Sequence, residues 1–175
     1  GGVLEGIQLW LNLPAEKKMV QPNYQHIKND DFNIVLSDDK KVKIQVIAGV
    51  LQGKNGRIAT QTSVNAYMIA IEEGGEHIIS IDPKHQSLLY LLNGNVTVNG
   101  KEDLILDQNQ IIEFNNDGEG FHIKGSSKSK LLFLSGTPFK EKVASWGPYV
   151  MNTQTEIMEA LRDYQQGKMG FLPVN

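Results

Sequence analysis

The chain has 175 residues, of which 40% are hydrophobic and 21% charged, and its net charge is −3. That length supports one domain with a sizeable core, and the lysines, scattered in short groups at Lys17-Lys18, Lys40-Lys41 and Lys124 to Lys130, form no basic stripe for nucleic acid. Cysteine is absent, which excludes disulfides, thiolate catalysis and cysteine-based zinc sites, and the apolar runs fall well short of the roughly 20 residues a membrane helix needs.

The N-terminus, Gly1-Gly2-Val3-Leu4-Glu5, has no basic region followed by an apolar stretch and no initiator Met. A signal peptide is therefore not expected, cytoplasm is the default compartment (the nucleus if the source is eukaryotic), and the chain is expected to be a cut-down piece of something longer. Gly6 to Leu13 reads as a strand, followed by the polar, proline-flanked stretch Pro14 to Pro22, where a boundary is expected. Val42 to Ala48 and Asn65 to Ile71 alternate apolar and polar residues at period two, as do Asn95 to Val98 and Asp103 to Leu106, and each is predicted to be a strand with one buried face. Leu88 to Leu92 and Leu131 to Leu134 are apolar throughout and predict strands buried on both faces. Asn93-Gly94, Asn99-Gly100 and Asp117-Gly118 punctuate these runs as hairpin turns, because Asn and Gly accept positive φ.

Asn152 to Gln166 differs. Ile157, Ala160, Leu161 and Tyr164 fall at helical spacing, Thr153 and Glu156 form a capping box, and Gly167 stands where a left-handed C-terminal residue belongs. The expected fold is all-β, a jelly-roll barrel with one C-terminal helix. Its parts are an N-terminal strand and linker (residues 1–22), the barrel (23–150), and the helix with its tail (151–175).

Several short motifs have structural readings instead of chemical ones. Gly49 to Asn55 (GVLQGKN) spaces its glycines too closely for a phosphate loop and has Asn where the magnesium-binding hydroxyl belongs. Gly118-Glu119-Gly120 and Ser126-Ser127-Lys128-Ser129 read as turns, Asn95-Val96-Thr97 as an accidental glycosylation sequon, and Trp10 and Trp146 as packing residues. Glu72-Glu73 and Asp38-Asp39 read as exposed turn charges without the pairing of glycosidase carboxylates.

Two stretches carry a family resemblance. Gly6-Ile7-Gln8-Leu9-Trp10-Leu11-Asn12-Leu13-Pro14, with Lys18-Met19 and Pro22-x-Tyr24-Gln25 after it, is similar to the segment that joins the two halves of pirins. Trp146-Gly147-Pro148-Tyr149-Val150-Met151-Asn152-Thr153, running into the helix and Gly167-Lys168-Met169-Gly170, resembles the pirin C-terminus, and Val46-Ile47-Ala48-Gly49 matches between them. A pirin is similar to two cupin barrels in tandem, so the resemblance implies a C-terminal cupin domain. It places the family's iron, held by three His and one Glu, in the N-terminal barrel upstream of this chain. Some members are credited with quercetin 2,3-dioxygenase activity, and the mammalian protein is a nuclear cofactor of transcription factors.

Cupin metal sites use H-x-H-x-x-x-E before a strand ending in Y-V-L-x-G, with a later His. Counted back from Tyr90-Leu91-Leu92-Asn93-Gly94, those positions are Ile81, Pro83 and Ser87, none of them a usual ligand. The chain's four His are at 26, 77, 85 and 122, with no H-x-H pair. A site of its own would have to pair His85 with His122, joined by Glu113; the plainer reading makes His85 a loop residue and His122 a hydrogen-bonded barrel residue. No catalytic residue, metal or cofactor is therefore assigned to this chain, iron being expected only in a full-length pirin.

The expected role is a non-catalytic scaffold or protein-interaction module. Its contact residues would be Gln8, Leu9, Trp10 and Leu11 of the N-terminal strand and Ile157, Leu161 and Tyr164 of the helix. The expected partner is an N-terminal pirin domain, a second copy through the Gly6 to Leu13 strand, or another protein, but neither nucleic acid nor membrane. The enzymatic alternative is a quercetin 2,3-dioxygenase-like oxygenase whose metal lies in the missing half. A third reading is a metal-free ligand-binding barrel with His85 or His122 as its polar anchor.

Overall fold

The structure, a computed structural model, describes residues 1–2, 4–101, 105–106 and 110–170. Contacts group Asn23–Pro138 as one unit and Gly1–Pro22 with Phe139–Asn175 as another.

The unit Asn23–Pro138 is built from twelve strands among its described residues: β1 Asn33–Leu36, β2 Val42–Ala48, β3 Val50–Leu51, β4 Lys54–Asn55, β5 Val64–Ile71, β6 Glu76–Ser80, β7 Gln86–Asn93, β8 Val96–Val98, β9 Ile105–Leu106, β10 Ile111–Phe114, β11 Gly120–Gly125 and β12 Ser129–Gly136. The alternating runs form strands within a residue or two of their expected limits. Of the run Asp103 to Leu106, residues 103 and 104 lie outside the described residues. Six strands pair in the order β1-β2-β5-β12-β7-β10 and four in the order β6-β11-β8-β9, while β3 and β4 pair with each other. Each of these pairs is antiparallel.

The all-β jelly-roll class is thus as expected, but the two large sheets share no ladder among the described residues, so they form an open sandwich and not a closed barrel. One apolar core fills the space between them. It takes Val42, Ile44, Ile69, Leu89 and Leu131 from the larger sheet and Ile79, Val98 and Ile123 from the smaller. Aromatic rings cross the gap: Tyr67 and Phe133 lie 5.4 Å apart, Phe133 and Phe121 5.4 Å, and Phe121 and Phe114 4.5 Å. The Tyr67 hydroxyl donates to the Val50 carbonyl at 2.6 Å, and burial pushes its pKa up to about 12. Leu131, Leu132 and Phe133 are all buried, as their unbroken apolar run predicts. In β7, by contrast, Leu89 and Leu91 are buried while Leu88, Tyr90 and Leu92 are only half-buried, because this strand's second face is incompletely covered.

Two of the three expected turns use left-handed backbone: Gly94 has φ +82°, and Asn99 and Gly100 have +56° and +64°. At Gly94 a Cβ would meet the Lys128 carbonyl at 2.4 Å, so glycine is required there for space as well as for φ. Asp117-Gly118 has no positive φ; it lies in the loop between β10 and β11.

The second unit holds a hairpin, β13 Ala144–Trp146 and β14 Tyr149–Met151, and the helix α1 Gln154–Gln165. The sequence reading puts residues 139–150 in the barrel, whereas the contact grouping puts them with the helix, since β13 pairs with β14. The Thr153 hydroxyl accepts the Glu156 amide at 3.2 Å, and the Glu156 carboxylate accepts the Thr153 amide at 2.8 Å. At the other end Gly167, with φ +72°, donates to the Tyr164 carbonyl at 2.9 Å and Lys168 to that of Asp163 at 3.0 Å, closing a Schellman motif. Ile157 is buried, Ala160 and Leu161 are half-buried, and Tyr164 is 64% exposed. The strand expected over Gly6 to Leu13 is not formed: residues 6–13 are irregular, because an isolated strand needs a ladder partner and the described residues offer it none. No helix among the described residues is long and apolar enough to cross a membrane.

The Thr153 hydroxyl and the Asn152 and Thr153 amides hold the Glu156 carboxyl below its ordinary range, against a smaller opposing effect of burial. A depressed carboxylate stabilises the folded state above its unfolded pKa, near 4.3, and that contribution is lost as pH falls through the lower folded value. Helical circular dichroism of the wild type should therefore weaken as pH falls below the ordinary carboxylate range, near about 4, and Glu156→Gln should remove this part of the pH dependence.

Candidate functional site

His85 lies in the turn that leads into β7. Asp82 shapes the turn: its side chain accepts the Lys84 amide and its carbonyl the His85 amide, both at 2.9 Å. The imidazole is 4% exposed, and both its nitrogens are engaged: Nε2 lies 3.0 Å from Ser63 Oγ and Nδ1 3.1 Å from Ser135 Oγ. Asn65 sets the polarity of this network. Its Oδ1 accepts the Val50 amide at 3.2 Å, which turns Nδ2 towards Ser135 Oγ at 3.0 Å. Asn65 Nδ2 also lies 3.5 Å from His85 Nδ1, so Asn65 and Ser135 are both placed to donate to Nδ1, an arrangement that suits the tautomer with its proton on Nε2, directed at Ser63. In that tautomer the ring donates to Ser63 instead of accepting from it, which is opposite to the polarity of a hydrolase dyad.

His122 does not join His85. It stands in β11 between Phe121 and Ile123, whose side chains are buried in the core, so its own points to the outer face, where Nε2 lies 3.7 Å from the Glu76 carboxylate. Glu113 is exposed on β10, between the half-buried Ile112 and Phe114. No group of three His, Cys, Asp or Glu among the described residues is placed to hold a metal ion. The donor set thus does not fit the family's iron: the expected ligand positions carry Ile81, Pro83 and Ser87, and both nitrogens of His85 are already engaged.

What stands at those positions is a cavity of about 310 Å³, lined by Ile81, Pro83 and Ser87 together with His85, Val98, Ile112 and Phe114, and by a polar set that includes Asp82, Asn99, Lys101, Glu113, Asn115, Asn116 and Asp117. The sequence reading misses the partners of His85, Ser63, Asn65 and Ser135, which lie 22, 20 and 50 residues from it on other segments.

In the other unit Gln8, Leu9, Trp10 and Leu11 are all exposed, Trp10 by 72%. Trp10, Leu11 and Leu13 line a shallow hollow of about 290 Å³ with Pro148, Val150 and Met151. Glu141 fixes this arrangement, since its Oε2 accepts the Ala15 amide at 2.8 Å and the Asn152 side-chain amide at 2.9 Å. Of the helix residues singled out, Ile157 is buried, Leu161 half-buried and Tyr164 exposed.

Residues 66–170 match the family described as the pirin C-terminal cupin domain. The chain is 31% identical over 172 residues to a pirin-like protein of Solanum lycopersicum, covering 97% of this chain and 58% of that protein. It is 32% identical over 173 residues to the pirin of Homo sapiens, covering 95% and 57%. Among solved structures, quercetin 2,3-dioxygenase from Acinetobacter baumannii superposes with a TM-score of 0.86 at 32% identity, over 92% of this chain and 55% of that one. The chain thus spans little more than half the length of the relatives it matches.

Proposed function

Since the chain belongs to the pirin family and matches its C-terminal cupin domain, we propose that it is the non-catalytic half of a pirin, a scaffold that packs against a metal-bearing N-terminal cupin domain. The observation that carries this reading is the chemistry at the cupin ligand positions, where Ile81, Pro83 and Ser87 offer no usual metal donor and His85 is held by two serines. The exposed Leu9, Trp10 and Leu11 and the hollow beside them are the surface we assign to the partner domain, or to a second copy where that domain is absent. That this chain covers only 58% and 57% of the pirin-like protein and the human pirin is consistent with a second domain in the longer protein.

A second reading is favoured by the quercetin 2,3-dioxygenase from Acinetobacter baumannii, which this chain resembles. In that reading the longer protein is an iron oxygenase, and this domain supports the half that carries the metal. The two readings agree on this chain.

Plasma mass spectrometry of the purified chain, before and after incubation with Fe(II), tests the proposal. The expected result is well under one metal per chain in both samples. Close to one per chain, lost in a folded His85→Ala or His122→Ala variant, would overturn it.

A further inference from the structure

The cavity of about 310 Å³ joins an aromatic wall to a polar rim drawn from segments far apart in the chain. Phe114 ends β10 and is half-buried, its ring stacked on the buried Phe121 at 4.5 Å, and Ile112 packs against the core on the same strand face. The Phe114 ring is thereby held in place while still contributing to the cavity wall. The rim combines three carboxylates, Asp82, Glu113 and Asp117, with three amides, Asn99, Asn115 and Asn116. The fold orients two of these. Asp82 Oδ1 accepts the Lys84 amide at 2.9 Å, which leaves Oδ2 as an acceptor. Asn99 Oδ1 accepts the His122 amide at 3.0 Å, which leaves Nδ2 as a donor.

This mixture selects among ligand classes. The carboxylates outnumber Lys101, which disfavours an anion. All three are exposed, so a cation would gain little from them through water. A purely apolar molecule would strip water from the rim without replacing its hydrogen bonds. A neutral ring carrying several hydroxyls meets both parts of the site. Each hydroxyl donates and accepts, which suits carboxylates and amides together, and the slightly positive ring C–H groups suit the negative face of an aromatic ring. The volume is at the small end of ligand pockets and holds about one such ring. We propose that this cavity binds a neutral monosaccharide in its ring form, with a C–H face against Phe114 and hydroxyls shared between Asp82 and Asn99. The proposal is independent of the scaffold reading, since it needs neither a metal nor a partner domain.

Amide NMR titration of the chain with D-glucose, D-galactose and D-mannose tests it, with glucuronate and glucosamine as anionic and cationic comparators. Saturable shifts centred on Asn99 and Phe114 are expected with at least one of the neutral sugars, with a dissociation constant on the order of 1–10 mM. Neither charged comparator should bind more tightly than that sugar. Asp82→Asn and Asn99→Asp each keep the Oδ1 acceptor that holds the backbone and change the group offered to the ligand. Asp also tolerates the left-handed φ of +56° at position 99. Each variant should weaken binding about fivefold, and Phe114→Leu, which removes the aromatic face, should do the same. An absence of saturable shifts at these residues with all three sugars up to about 100 mM would overturn the proposal. So would tighter binding of glucuronate or glucosamine, or unchanged affinity in all three variants, shown to be folded by their dispersed spectra.

Discussion

Phe133→Ala is expected to destabilise the sandwich by about 3–5 kcal/mol, the largest loss of any single truncation considered. Phe133 is fully buried in β12 and lies 5.4 Å from both Tyr67 and Phe121, the point at which the aromatic contacts pass from the larger sheet to the smaller. Removing the ring takes away its transfer free energy and leaves a hollow that two strand-bound neighbours can only partly fill. It also withdraws packing from Tyr67, whose hydroxyl is fixed on the Val50 carbonyl. Phe133→Leu keeps most of the volume and should cost roughly 1–2 kcal/mol. Urea unfolding followed by tryptophan-independent far-ultraviolet dichroism would check both, and an alanine variant within about 1 kcal/mol of wild type would show that the two sheets are held by something other than this contact.

His85→Leu is expected to cost about 1–3 kcal/mol although it replaces a polar side chain by an apolar one in a buried place. The imidazole satisfies the hydroxyls of Ser63 and Ser135, and these, with Asn65, come from the start of β5 and the end of β12. Leucine removes a partner of the buried Ser135 hydroxyl, which keeps its bond from Asn65 but loses an acceptor for its own proton, whereas the exposed Ser63 can turn to water. Adding Ser135→Ala to His85→Leu should recover part of the loss, because the under-satisfied hydroxyl is then removed as well. The same network predicts a spectroscopic signature: long-range nitrogen–proton correlations should show the His85 tautomer that has its proton on Nε2. A proton on Nδ1 would reverse the hydrogen-bond direction deduced from Asn65.

Local rules reach far in this sequence. Period-two alternation located β2, β5 and β8, and Thr153, Glu156 and Gly167 marked both ends of α1, because each signal depends on residues close together in the chain. The order of strands in the larger sheet was not legible, since antiparallel alternation says which face is buried and not which strand is the neighbour. Gly6 to Leu13 has the composition of a strand, but a strand also needs a ladder, and that information is not in the segment. At the candidate site, counting back from Asn93-Gly94 led to the wall of a real cavity, because hairpin and strand geometry fix that spacing. The serines and asparagine around His85 were not readable, being ordinary residues brought from 20 to 50 positions away. The direction of His122 was readable and points against a shared site: apolar Phe121 and Ile123 on either side require it to face outward.

The position of β12 in the larger sheet has a consequence for synthesis. β1, β2 and β5 can pair as soon as they leave the ribosome, and so can β7 with β10, but among the described residues of that sheet only β12 joins the two groups. It is the last strand of the sheet to be made, spanning Ser129–Gly136, whereas β5 ends at Ile71 and β7 at Asn93. At about 5–20 residues per second, the inner edges of both half-sheets stay open for seconds while the intervening chain is completed. Those edges carry Tyr67, Ile69, Leu89 and Leu91, apolar residues that pair readily with any other exposed strand. Vulnerability to misassembly is therefore greatest on the nascent chain, and it ends when one late strand closes both edges at once.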